Sequence, residues 1–142
     1  MNAVDTNILV YAVDATEPEK SRRALQLIRD LAAADTPLVI PWQVAAEFLA
    51  CLRRWEDAGR ISRRDTDAYL NRFIVSLPVA YPTSNSLRIA LDLSGRFSLS
   101  HWDSMLLAAC VEAGVDTLYS EDLGSGMAYD SVRVVNPFRA LP

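Results

Sequence analysis

Ala3-Val4-Asp5-Thr6-Asn7-Ile8-Leu9-Val10-Tyr11 places an acid inside a run that otherwise reads as buried core. The apolar, β-branched residues predict a short buried strand running into a turn or a short helix. Asp5 falls near the end of that strand. Asp is disfavoured in strands, and an unpaired charge is expensive to bury, so the position calls for a partner or a cation. Three further acids, Glu47, Asp103 and Asp122, also stand in or directly beside apolar segments. The basic residues that could pair with the four lie elsewhere along the chain.

Outward from this stretch, apolar blocks alternate between two periods. After Pro18, the residues Ala24, Leu25, Leu27, Ile28 and Leu31 recur at helical spacing, and Leu38-Val39-Ile40-Pro41 reads as a short strand. The stripe Val44, Phe48, Cys51, Leu52 and Trp55 predicts an amphipathic helix stopped near Gly59. Ser62 with Asp65 three positions on has the form of a capping box that opens another helix, with Tyr69, Leu70 and Phe73 facing inward. Leu77 to Ala80 reads as a third strand, placed at an edge or strand start by Pro78. A helix from about Ser84 to Gly95 follows, and then a strongly helical stretch from Trp102 to Ala113 with Gly114 as its break. Thr117-Leu118-Tyr119-Ser120 and Val132-Arg133-Val134-Val135 are the fourth and fifth strands, separated by a glycine-rich loop. Strands alternating with helices predict an α/β fold, a parallel sheet of about five strands with helices on both faces. Such sheets bind ligands beyond the carboxyl ends of their strands, where strand order reverses. Asp5 and Asp122 fall at those ends; Glu47 and Asp103 can join them from helices.

The 142 residues fit one domain spanning 1–142 with a sizeable core. No apolar run approaches the roughly 18 residues of a membrane span, and the start Met-Asn-Ala-Val-Asp-Thr-Asn carries no export signal, so the expected location is the cytoplasm with no membrane partner. Cys51 and Cys110 both fall in apolar helical patterns and read as buried reduced thiols. The formal charge of −4 argues against broad adhesion to nucleic acid. It leaves room for nucleic acid at one site, since bound divalent cations reverse the sign of an acidic pocket.

Each acid also has a plainer reading. Ser100-His101-Trp102-Asp103 matches a capping box, in which Asp103 reaches back to a free backbone N–H. Glu47 reads equally as a solvated helix residue, and Asp122 as a turn former before Leu123-Gly124. Asp5 is the hardest to dismiss. The conjunction of the four raises the functional reading.

In order and spacing, Val4-Asp5-Thr6-Asn7-Ile8-Leu9, Ala46-Glu47-Phe48, Trp102-Asp103-Ser104 and Leu118-Tyr119-Ser120-Glu121-Asp122 resemble a PIN domain, and among PIN domains the VapC-like toxins. The resemblance runs nearly the full length and includes Val135-Asn136-Pro137-Phe138. It implies that Asp5, Glu47, Asp103 and Asp122 hold Mg²⁺ or Mn²⁺ for hydrolysis of RNA. It also implies a homodimer and a protein antitoxin as partner. The chain departs from the pattern at Gly124, where many relatives carry a second acid, while Glu121 is an extra acid beside Asp122. Thr6, Asn7 and Ser120 fit as groups that orient ligands or water, or equally as turn and capping residues.

Hard oxygen donors suit Mg²⁺ or Mn²⁺ better than zinc. The single histidine, His101, cannot supply the acid–base pair of a metal-independent ribonuclease, so metal-activated water is the expected nucleophile and 5′-phosphate and 3′-hydroxyl ends the expected products. Of the 14 basic residues all but Lys20 are arginine, and Arg53, Arg54, Arg60, Arg63 and Arg64 crowd one junction between helices. Most of these are expected on a solvated face, with Arg63 and Arg64 as candidate contacts to RNA. A phosphoacceptor receiver domain would need an adjacent acid pair on the first strand and a lysine at a later strand end, and the chain has neither. Two alternatives to a toxin remain: a housekeeping RNA-processing nuclease, and a silent PIN-like module kept for protein contacts.

Overall fold

Strands and helices follow one another as β1 (Asn2–Val4), α1 (Thr6–Val13), α2 (Pro18–Ala33), β2 (Leu38–Pro41), α3 (Trp42–Asp57) and α4 (Arg63–Leu70). After a π-helical turn (Asn71–Val75) come β3 (Val79–Ala80), α5 (Asn85–Phe97), α6 (His101–Ala113), β4 (Thr117–Tyr119), β5 (Ala128–Tyr129) and β6 (Val132–Val135). The computed structural model describes residues 1–139. The strands form one sheet in the order β3-β2-β1-β4-β6-β5, parallel throughout except for the β5–β6 pair.

Strand order reverses at β1. The chain steps from β1 outward through β2 to β3, then returns to place β4 on the other flank of β1. The register pairs Val4 with Tyr119, so both strands finish together and the next residues, Asp5 and Ser120, emerge side by side. All four residues of β2 are buried, which requires cover on both faces of the sheet. Helix α1 packs on α2 and on α3, α3 packs on α4, and α5 packs on α6. The core between helices and sheet includes Val4, Ile8, Leu9, Ile40, Phe48, Leu93, Leu107 and Leu118, all fully buried.

Local signals act largely as the sequence predicts. Ser62 Oγ accepts from Asp65 N at 3.1 Å while Asp65 Oδ2 accepts from Ser62 N at 2.9 Å, which completes the capping box of α4. Gly114 takes φ +73° and ends α6, a conformation that carries a steric penalty for residues with a Cβ. Pro78 precedes an edge strand, and Cys51 and Cys110 are buried free thiols.

Three features differ from expectation. Helix α5 runs through Gly95 to Phe97 and stops on Ser98 in the left-handed region, because Phe97 packs edge-on against Tyr129 at 5.1 Å. The sixth strand, β5, lies in the stretch read as a loop; its two residues are too few for an alternating pattern to register, and Asp130 at φ 54° turns the chain back into β6. Trp42, of a residue type more often found in the core, is 50% exposed and stacks at a tilt on Tyr81 with ring centroids 5.3 Å apart. No described helix is long and apolar enough to cross a membrane.

Phe48 is the largest fully buried side chain and meets Phe73 edge-on at 6.3 Å. Phe48→Ala is expected to cost about 3–5 kcal/mol of unfolding free energy, measured by urea denaturation, whereas truncating the exposed Arg88 should shift it by no more than about 0.5 kcal/mol.

Candidate active site

Asp5 closes β1 and opens α1. Its backbone N–H donates to Tyr119 O at 2.9 Å as the last rung between β1 and β4, and its Oδ1 accepts from Thr6 N at 2.6 Å as the cap of α1. The other oxygen, Oδ2, accepts from Ser120 Oγ at 2.6 Å and from Asn7 Nδ2 at 3.3 Å. Burial pushes the Asp5 carboxyl above the ordinary carboxylate range. The bonds from Ser120 and Thr6 pull against that, and the nearby charges of Glu47 and Asp122 add to the rise.

Glu47 reaches the same place from α3. Its Oε2 accepts from Thr6 Oγ1 at 2.7 Å and its Oε1 from Gln43 Nε2 at 2.9 Å. Asp122 arrives from beyond β4, where Asn7 Nδ2 donates to its Oδ2 at 3.2 Å and Ser120 Oγ accepts from its backbone N–H at 3.3 Å. Asn7 thus bridges Asp5 and Asp122, Thr6 holds Glu47, and Ser120 holds both Asp5 and the turn that carries Asp122. None of the four acids forms a salt bridge among the described residues.

Asp103 is linked less directly. Gln43 Nε2, which donates to Glu47, also donates to Trp102 O at 3.2 Å and so ties α3 to the start of α6. Ser100 Oγ accepts from Asp103 N at 3.2 Å, but the reciprocal half of the expected capping box is not made. The Asp103 carboxylate has no hydrogen-bond partner among the described residues and stands half-buried at the end of that link.

Glu121 faces away from the cluster. Its carboxylate is taken by Lys20 Nζ at 2.5 Å and Tyr11 Oη at 2.6 Å. Burial raises its pKa, but those two bonds outweigh burial and leave the carboxyl below its ordinary range. This geometry selects Asp122 over Glu121 as the acid turned toward Asn7.

A cleft of about 480 Å³ opens beside the cluster and is lined by Thr6, Asn7, Tyr11, Glu47, Arg54 and Asp122. On the far side of Glu47 lies a trough of about 570 Å³ whose walls include Trp42, Gln43, Trp102 and Met105. Arg63 is 74% exposed and held by Glu56, with Nε 2.8 and 3.1 Å from its two oxygens; neither Arg63 nor Arg64 lines the cleft.

The PIN domain family model matches residues 3–124. The chain is a member of the PIN domain family. No curated protein matches it in sequence. The solved structures that resemble this PIN domain share its fold at low identity. Mycobacterium tuberculosis VapC20, described as a sarcin-ricin loop cleaving toxin, is 19% identical over 86% of this chain and 90% of its own, with a TM-score of 0.62. A toxin–antitoxin complex from Klebsiella pneumoniae gives 16% identity over 96% and 98%, with a TM-score of 0.65. VapBC2 from Rickettsia felis, bound to a DNA fragment from its promoter, gives 14% over 94% and 96%, with a TM-score of 0.68.

Within the PIN fold, the departure at position 124 has a steric basis. A Cβ at Gly124 would meet Met127 Cγ and Tyr129 Oη at 3.0 Å, so a side chain there requires those groups to shift. Sequence reasoning missed Gln43, which holds Glu47 and Trp102, and the Lys20–Tyr11 pair on Glu121. It noted Arg54 only as one of a crowd. Gln43 stands four residues before Glu47, one helical turn away, and that spacing was the only local signal for it.

Each donor in the cluster is a hard oxygen, which suits Mg²⁺ or Mn²⁺. Among the described residues no three acidic, histidine or cysteine side chains are gathered closely enough to hold an ion unaided. That spacing still fits Mg²⁺, which keeps several waters and takes only one or two carboxylates directly.

Because the folded protein raises the Asp5 pKa, it takes up this proton at higher pH than the unfolded chain does. Stability from protonated Asp5 is complete below the ordinary value of 3.8 and is lost as pH rises through the folded value. The metal-free wild type should therefore lose stability relative to Asp5→Asn as pH rises above the ordinary carboxylate range, measured by urea unfolding in the presence of a chelator.

Proposed function

We propose that this PIN domain is a metal-dependent endoribonuclease that hydrolyses RNA phosphodiesters, and that it is the toxin of a type II toxin–antitoxin pair acting in the cytoplasm. The observation that carries the reading is the convergence of Asp5, Glu47 and Asp122 at the strand-order reversal, with no salt bridge to any of them among the described residues. Like charges brought together in this way are tolerable when a divalent cation joins them.

When bound, Mg²⁺ or Mn²⁺ supplies the Lewis acidity and activated water that phosphodiester hydrolysis needs. Asp5 and Asp122, joined through Asn7, are the carboxylates that would hold it, with Glu47 and Asp103 acting directly or through water. Glu47 is fixed at both oxygens by Thr6 and Gln43, so it orients water without moving. Asp103, with its carboxylate free, is the group suited to take a proton from water on the α6 side. Arg54 lines the cleft beside Glu47 and Asp122, where a guanidinium can meet a phosphate; Arg63 and Arg64, exposed outside the cleft, are further candidate contacts to RNA.

The toxin assignment over a housekeeping nuclease is supported by the fold shared with the VapC structures and by exposed apolar residues beside the site. Trp42, Tyr81, Leu87, Leu91 and Trp102 are each at least half exposed. Such a surface suits an antitoxin or a second copy of the chain. A small reading frame directly upstream of the gene would favour the toxin reading further.

Purified wild-type protein should cut RNA with Mg²⁺ or Mn²⁺ and not with a chelator, leaving 5′-phosphate and 3′-hydroxyl ends. Asp5→Asn and Asp103→Asn, if folded, should lose about 10²-fold or more of the rate, and Asn7→Ala or Ser120→Ala about 10–100-fold. Cyclic phosphate products, or full activity of Asp103→Asn, would contradict the mechanism. Replacing Arg63 and Arg64 together, or Arg54 alone, should weaken RNA binding in filter or anisotropy assays while leaving Mn²⁺ affinity unchanged. Unaltered RNA affinity would reduce those arginines to surface residues.

A further inference from the structure

We infer that Lys20 is a positioning residue for the acid cluster: with Tyr11 it holds the Glu121 carboxylate away from the cluster, and so sets the Asn7 amide that bridges Asp5 and Asp122. The inference deepens the nuclease reading and rests on it.

Lys20 is the chain's only lysine, and it crosses 101 residues of sequence to reach Glu121. Three bonds close a small ring. Lys20 Nζ donates to Glu121 Oε1 at 2.5 Å and to Tyr11 Oη at 3.1 Å, and Tyr11 Oη donates to Glu121 Oε2 at 2.6 Å. The ammonium also lies 4.5 Å from the centre of the Tyr11 ring and 5.6 Å from that of Phe138, and these two rings meet edge-on at 5.1 Å. The ring therefore draws on α1, α2, the end of β4 and the segment after β6. An isolated surface ion pair contributes little; this one is half-buried, with side-chain exposures of 29% and 24%, and walled by aromatics.

The ring acts on the cluster through the Glu121 backbone. Glu121 N donates to Asn7 Oδ1 at 3.4 Å, which fixes the sense of the Asn7 amide and turns its Nδ2 toward Asp5 and Asp122. Without Lys20, Glu121 keeps its charge but loses its strongest tether. The freed carboxylate stands next to Asp122, where it competes for the Asn7 amide and for any cation. The harm predicted for a Lys20 variant thus comes from the loose acid, and removing that acid should undo it.

The test compares wild type with Lys20→Met, Lys20→Arg and the double variant Lys20→Met/Glu121→Gln. The metal-free readout is the Asn7 side-chain amide in ¹⁵N-resolved spectra. The second is Mn²⁺ affinity by calorimetry, and the third is RNA cleavage resolved into kcat and KM. Lys20→Met should displace the Asn7 amide signal, weaken Mn²⁺ binding by about tenfold or more, and lower kcat with KM unchanged. Lys20→Arg should keep most of the wild-type behaviour, and the double variant should regain most of the Mn²⁺ affinity. A Lys20→Met protein that melts earlier but keeps the wild-type Asn7 signal and Mn²⁺ affinity would make the ring a stability feature only and overturn the inference. A double variant as impaired as Lys20→Met would also overturn it, because the freed carboxylate would then not be the cause. If wild type neither binds Mn²⁺ nor cuts RNA, the nuclease reading fails, while an Asn7 signal displaced in Lys20→Met and restored in the double variant still establishes that Lys20 sets this amide.

Discussion

The structure turns on the Asp5 carboxylate, which has to satisfy the end of a strand, the start of a helix and an acid cluster at once. Its residue supplies the last rung between β1 and β4 and the cap of α1, so neither element can end elsewhere without leaving backbone donors unmet. Its side chain is buried beside two other acids, which makes the charged form unfavourable. Hydrogen bonds from Thr6, Ser120 and Asn7 offset part of that burden, and a divalent cation is the natural means of offsetting the remainder. The same position that closes the fold is therefore the one where the proposed metal would be held. Beneath it, the Cys110 thiol is pushed up to about 12 by burial, with the Asp5 charge adding to the rise, so it contributes no reactive sulfur to the site.

Two kinds of surface meet at Glu47. On one side is the polar cleft with Asn7, Asp122 and Arg54; on the other is the trough walled by Trp42, Trp102 and Met105. Gln43 belongs to both, since one amide nitrogen donates to Glu47 and to the Trp102 carbonyl. A partner laid over the tryptophans would therefore stand against the residue that orients Glu47. The exposed apolar surface therefore borders the charged site directly, with Gln43 and Glu47 on the boundary.

The readable parts of the fold were those written in local pattern. Helices α2, α3 and α6 announce themselves by apolar spacing, α4 by the Ser62–Asp65 box, and the end of α6 by Gly114. Asp5 was conspicuous because it interrupts a strand-like apolar run. Other features left no such trace. Strand β5 has two residues, too few for a period, and α5 passes through a glycine because Phe97 finds Tyr129 across space. Asp103 looked like one half of a capping box, and its amide does meet Ser100, yet its carboxylate is left free. A capping pattern specifies which groups can bond, and the geometry of the helix start decides whether both bonds form.

By itself, then, the sequence determined the alternation of strands and helices, the order of the four acids and their placement at element ends, because propensity, capping and hydrophobic period act over a few residues. Only the tertiary structure decided the strand order that sets β1 beside β4, the pairing of Thr6 with Glu47 across 41 residues and of Ser120 with Asp5 across 115, and the capture of Glu121 by Lys20 that turns this acid away from the cluster. Those contacts join residues with no periodic relation along the chain. They exist because burying both faces of the sheet brings distant segments to one edge, where hydrogen bonding and charge then settle which side chains face one another.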